Sequence, residues 1–160
     1  MTQFIHLADA KQIPAIRRSG IAARKVRGEE LRGFYCTPVS RNGFRTHQWL
    51  RELKRRGVKT YEAIQFYLPA SAEVYIGRYG QPHLKVTASS ALKIFEEHES
   101  GLGLEVIIPR ALIPKEIRRT YKPNPVSGWR FSPEAKGKPP QCRCEWCNKG
   151  EIKARRLIEE

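Results

Sequence analysis

Apolar and polar positions change period several times along the chain, and each change marks an element. Phe4-Ile5-His6-Leu7-Ala8-Asp9 is a short apolar run of strand character. In residues 10–21, Ile13, Ile16 and Arg17 sit at helical spacing and Gly20 is a stop signal, which predicts a helix. A second apolar run, Gly33-Phe34-Tyr35-Cys36-Thr37-Pro38, predicts another strand, and Trp49-Leu50-Arg51-Glu52-Leu53 then reads as an amphipathic helix. That helix closes with the basic turn Lys54-Arg55-Arg56 before Gly57, as expected where cations meet the negative end of a helix dipole. The β-branched and aromatic runs Ala63 to Leu68 and Glu73 to Gly77, separated by Pro69, predict two strands. Thr87 is an N-cap for a third helix reaching Glu99, with Ala91, Leu92 and Phe95 on one face. Leu104-Glu105-Val106-Ile107-Ile108-Pro109, entered through Gly101 and Gly103, is the strongest strand signal.

From Tyr121 the texture changes to prolines, glycines and few apolar residues, ending in a basic helical stretch from Glu151 to Leu157. The pattern therefore predicts an α+β core over residues 1–120 and, over 121–160, a basic Pro/Gly-rich arm packed on it. A chain of 160 residues suits one domain. Charge adds more: 30 Lys and Arg against 16 Asp and Glu leave +14, with a pI near 10.0. A polyanionic partner is expected, nucleic acid foremost, and a merely basic surface is the alternative. No apolar run approaches the ~20 residues that span a bilayer, and the N-terminus lacks the order of a secretory signal. A cytoplasmic protein with no membrane partner is expected.

Breaking the bond between nicotinamide and ribose passes through an oxocarbenium-like state. It calls for groups that fix both moieties and a carboxylate beside the developing positive charge. The order of a strand with His6, a helix closing on Ser19-Gly20-Ile21, a basic loop, a strand with Tyr35 and Thr37, and a helix resembles the front half of the ADP-ribosyltransferase superfamily. Leu104 to Pro109, followed by Pro114, resembles the late strand of the DNA-targeting ADP-ribosyltransferase toxins. The resemblance implies two antiparallel-rich sheets around an NAD cleft with flanking helices, and NAD as substrate. It implies that His6 holds the adenosine-side ribose, Tyr35 flanks nicotinamide with Thr37 nearby, and Glu105 stabilises the reacting ribose. Arg41 and Arg45, just beyond the Tyr35 strand, would clamp the pyrophosphate, Arg45 first. It further implies a toxin or defence setting, with an antitoxin or other protein as a partner. Each residue also has a plainer reading. His6 could be a hydrogen-bonded structural residue, Tyr35 a core aromatic, and Glu105 a solvent-face carboxylate on an alternating strand.

Cys142, Cys144 and Cys147 bring three thiolates together in the arm, a candidate Zn2+ site. The fourth ligand is open among Cys36, His47, His83, His98 and a partner molecule; free thiols are the alternative. Arg17, Arg18, Arg24, Lys25, Arg155 and Arg156 are the candidate nucleic-acid contacts. The expected function is transfer of ADP-ribose from NAD to a macromolecule, nucleic acid before protein. Two alternatives remain: an NAD-consuming RNA 2′-phosphotransferase, and a non-enzymatic zinc-dependent nucleic-acid-binding protein.

Overall fold

The computed structural model describes residues 1–55, 57–125 and 127–129. Strand β1 (Thr2–Asp9) runs through a 3-10 turn (Ala10–Gln12) into helix α1 (Ile13–Ser19). Asp9 caps the turn by accepting from the Lys11 amide, and Pro14 stands in the first turn of α1, where its missing N–H costs nothing. Gly20 ends the helix at φ 78°. A Cβ there would also lie 1.9 Å from the Leu112 carbonyl oxygen. Glycine thus lets Ile21 and Leu112 exchange backbone hydrogen bonds at 2.8 and 2.9 Å.

Next come β2 (Arg24–Lys25), β3 (Arg32–Pro38), the short helices α2 (Gly43–Thr46) and α3 (Leu50–Lys54), β4 (Tyr61–Leu68), β5 (Glu73–Arg78) and β6 (Leu84–Thr87). Helix α4 (Ala88–Glu97), β7 (Leu104–Ile108), a 3-10 turn (Pro114–Glu116) and β8 (Ile117–Tyr121) follow. The strand order is β6-β5-β7-β3-β1-β4-β8, with β2 paired to β3, and all the paired strands are antiparallel. This is an α+β fold on an antiparallel sheet with few helices.

One face of the sheet supplies the core. Phe4, Phe34, Ile64, Phe66, Val74, Ile76, Val106 and Ile108 form a buried cluster that Ile13 of α1 and Ala88, Ala91 and Phe95 of α4 join. Thr87 starts α4 by accepting from the Ser90 amide, and the helix then lays its small residues on the sheet. Burying a Phe such as Phe95 contributes about 1.5–3 kcal/mol.

The join between β1 and β3 is narrow. Their ladder holds only Phe4 opposite Pro38 and Ile5 opposite Thr37, whereas β1 pairs β4 from Thr2 to Asp9. His6 stands where the β1–β3 ladder stops.

Several expectations shift. The helix expected at Trp49 to Leu53 is present as α3, but a separate short helix, α2, precedes it, and between the two Gln48 turns its side chain to the loop before β7. Tyr121 is not part of an arm: it pairs with Ala63 in β8. Beyond it, Trp129 still packs on the core, its amide donating to the Gln48 carbonyl and its ring meeting Trp49 edge-on at 5.3 Å. The strands β2, β6 and β8 carry no apolar run, so periodicity alone does not reveal them.

Candidate functional site

On a strand, alternate residues face alternate sides. Leu104, Val106 and Ile108 of β7 enter the core, which leaves Glu105 and Ile107 on the opposite face. Tyr35 of β3 and Tyr75 of β5 stand on either side of Ile107, and Gly77 of β5 stands opposite Glu105. Tyr35 is 40 % exposed, so it is no core aromatic.

Glu105 is not on a solvent face either: its side chain is 13 % exposed. Its partner comes from the β5–β6 hairpin. His83 Nε2 lies 3.2 Å from Glu105 Oε1, off the line of a hydrogen bond, so the contact is an ion pair when the ring is protonated. On its other side, His83 Nδ1 is 3.0 Å from Glu29 Oε1, and the same oxygen accepts the His83 amide at 3.2 Å. Glu105 first, and Glu29 after it, raise the His83 pKa above the ordinary imidazole value against the opposing effect of burial. His83 in turn lowers the Glu29 carboxyl. Because the two ring nitrogens point to different carboxylates, the three side chains do not converge on an ion. Among the described residues no group of His, Cys, Asp and Glu forms a metal site.

His6 lies on β1 and reaches β3 through backbone. Its Nδ1–H donates to the Tyr35 carbonyl at 2.7 Å, and its ring meets Phe34 edge-on at 5.5 Å. Dense surroundings lower its pKa despite that hydrogen bond. The ring is therefore neutral at pH 7, with the proton on Nδ1 and a lone pair on Nε2. Thr37 is buried opposite Ile5.

Arg41 is exposed in the loop after β3. The Arg45 guanidinium instead donates to the carbonyls of Glu96, His98 and Glu99 at 3.3, 3.4 and 3.0 Å, closing the C-terminal end of α4. These bonds tie α2 to the loop that leads into β7. Gln48 completes the tie, donating to the Gly101 carbonyl at 2.9 Å and accepting from the Gly103 amide at 2.7 Å. Trp49 Nε1 donates to the Leu104 carbonyl at 2.9 Å, one residue before Glu105.

The candidate nucleic-acid residues fall in two places. Arg17 bonds Thr120 and, with Arg118 and Arg119, lines an open cleft of about 290 Å3 between α1 and β8 with no acidic lining residue. Arg24 and Lys25 lie exposed on β2, and Arg18 is exposed near the end of α1. Arg155 and Arg156, like Cys142, Cys144 and Cys147, lie outside the described residues. Of the internal candidates for a fourth zinc ligand, Cys36, His47 and His83 are otherwise engaged, while His98 is bonded through one ring nitrogen. Cys36 is buried in the core, and burial pushes its thiol pKa well up. His83 serves two carboxylates, and His47 donates to the Gly43 carbonyl while accepting from the Tyr121 hydroxyl, both at 2.7 Å. His98 Nδ1 accepts from the Gly101 amide.

Sequence reasoning marked His83 as a candidate zinc ligand and Tyr75 as a strand residue, and missed Glu29, Arg118 and Arg119. Nothing local distinguishes Glu29 from any other acidic residue in a turn. Comparison with protein-family models, curated proteins and solved structures gives no match for this chain. No helix among the described residues is long and apolar enough to cross a membrane.

Proposed function

We propose that this chain is an ADP-ribosyltransferase that moves ADP-ribose from NAD to a macromolecular acceptor, nucleic acid by preference. One observation carries the reading: His6, Tyr35 and Glu105 belong to the neighbouring strands β1, β3 and β7, with His6 bonded to the Tyr35 backbone where the β1–β3 ladder ends; the His6 ring itself lies on the core face with Phe34, and Tyr35 and Glu105 stand on the other face. The fit to NAD rests on their chemistry. A neutral His6 with its proton on Nδ1 presents Nε2 as an acceptor for a ribose hydroxyl. Tyr35, partly exposed, supplies an aromatic ring of the kind that packs against nicotinamide. Glu105 is an acceptor beside the ribose carbon as positive charge builds on it. The C1′–N bond breaks with its electron pair leaving on nicotinamide. An acceptor lone pair then closes on C1′, and the acceptor's proton passes to a base. The arginine-lined cleft supports a polyanionic acceptor, since it could hold backbone phosphates.

The test supplies NAD labelled in the adenosine half together with single-stranded DNA, duplex DNA, RNA or protein, and follows both label transfer and nicotinamide release. Label is expected on nucleic acid, and Glu105→Gln is expected to cut the rate by about 10²–10³. NAD-dependent loss of a 2′-phosphate from RNA would favour the phosphotransferase chemistry instead. Absence of any NAD turnover would overturn the enzyme reading.

A further inference from the structure

The hairpin between β5 and β6 places an imidazole on Glu105 by a specific backbone device. The turn closes through the Gln81 amide donating to the Arg78 carbonyl at 3.0 Å, with Gly80 at φ 75°. The Tyr79 amide donates to the Gly103 carbonyl at 2.8 Å, fastening the turn beside the start of β7. Pro82 and His83 then fold back over Gly77. A Cβ at Gly77 would lie 2.9 Å from the Pro82 oxygen and 3.0 Å from two His83 ring carbons. Because Gly77 pairs with Glu105 in the β5–β7 ladder, a ring lying over Gly77 lands against that carboxylate.

We propose that His83 is a positioning residue for the transferase site: anchored by Glu29, it grips Glu105 Oε1 and leaves Oε2 as the carboxylate oxygen for the substrate ribose. The inference rests on Glu105 being the carboxylate of ADP-ribosyl transfer. Glu105 Oε2 has no hydrogen-bond or ion-pair partner among the described residues. A neutral imidazole has one N–H and one lone pair, so either tautomer turns a lone pair toward a carboxylate; only the cation serves both. The charged groups acting on the ring are Glu105 from β7 and Glu29 from the turn before β3. The nearby Lys85 of β6 is held by Glu73 of β5 at 2.8 Å. One imidazolium between two carboxylates leaves the cluster a net negative charge to set against the oxocarbenium. Loss of the His83 proton would set two carboxylates and a lone pair against one another and loosen the Glu105 rotamer.

Two measurements on the full chain test this. Imidazole NMR follows the His83 titration in the wild type and in Glu105→Gln and Glu29→Gln. NAD turnover against pH compares the wild type with His83→Gln and Glu29→Gln. His83 is expected to titrate above 6.5 in the wild type and at lower pH in both Glu variants. His83→Gln is expected to lower kcat roughly ten- to a hundredfold with little change in KM for NAD, as for a misplaced catalytic group. It should also erase an alkaline fall in kcat that tracks the His83 titration. Glu29→Gln keeps the ring and the fold, and should give a smaller loss in the same direction. Normal wild-type turnover with unchanged kcat and pH profile in His83→Gln, or a His83 titration indifferent to Glu105→Gln, overturns the positioning role. Failure of the transferase reading has a different signature: no NAD turnover in the wild type while His83 still responds to Glu105→Gln.

Discussion

His6, on β1, and His83, in the turn between β5 and β6, are both largely enclosed histidines, yet their surroundings drive them in opposite directions. His6 meets a backbone carbonyl and an aromatic edge, so desolvation wins and its pKa falls. His83 meets two carboxylates, so attraction wins and its pKa rises. The contrast teaches that burial alone does not set the charge of a histidine. What decides is whether each ring nitrogen faces a dipole or a full negative charge. Relative to a free imidazole, the surroundings of the first favour the neutral ring and those of the second favour the cation, the division of labour that the proposed transferase reading calls for.

The strongest way to break the comparison is Gly77→Ala. The new methyl would push on the Pro82 carbonyl and the His83 ring, so His83 loses its seat while His6, on β1, keeps its own. Overpacking of this kind costs about 1–3 kcal/mol, or roughly 2–4 °C in Tm per kcal/mol for a domain near this size. Calorimetry should show the drop, and imidazole NMR should show the His83 resonance moving far more than that of His6.

A gentler test uses pH. With its folded pKa raised, His83 binds its proton more readily in the native state; its stabilisation is complete below about 6.5 and is lost as pH rises through the folded pKa. With its folded pKa lowered, His6 gives the opposite sign: stability is complete above about 6.5 and falls as pH drops toward the folded pKa. Urea unfolding across this range should therefore show His83→Gln flattening the alkaline loss and His6→Asn flattening the acid loss. Identical pH profiles for the two variants would contradict the opposite charges assigned to the two rings.

The smallest effect is expected at an ion pair outside this contrast. Arg110 and Glu116 form a two-pronged contact at 2.9 and 2.6 Å, with the Arg110 side chain 46 % exposed. Solvent screens such a pair, so Arg110→Ala should cost only about 0.2–1 kcal/mol, read as a small shift in the denaturation midpoint. A loss as large as that of Gly77→Ala would mean that exposure does not separate the two clusters.

Much of the architecture is written locally. The apolar runs around Phe4, Phe34, Phe66 and Val106 are all strands, the stop at Gly20 and the cap at Thr87 both operate, and Ala91 and Phe95 enter the core as their spacing predicts. These features depend on side-chain period and on backbone preferences within a few residues, which a chain carries wherever it folds. The candidate residues His6, Tyr35 and Glu105 could be named from such runs, but not their surroundings. Arg45 shows the limit: its position after the Tyr35 strand suggested phosphate, and its guanidinium closes α4, an element more than forty residues later.

Sequence by itself determined the α+β class, the strands bearing His6, Tyr35 and Glu105, and the strong positive charge. Only the tertiary structure decided that Glu105 has a partner, that the partner is His83, and that Glu29 stands behind it. Those three come from a β5–β7 ladder, a hairpin folded over Gly77 and a distant turn. Glu29 and His83 are separated by 54 positions, and no periodicity links residues so far apart. Their meeting is set by strand register and by the space a glycine leaves, properties that exist only once the sheet has formed.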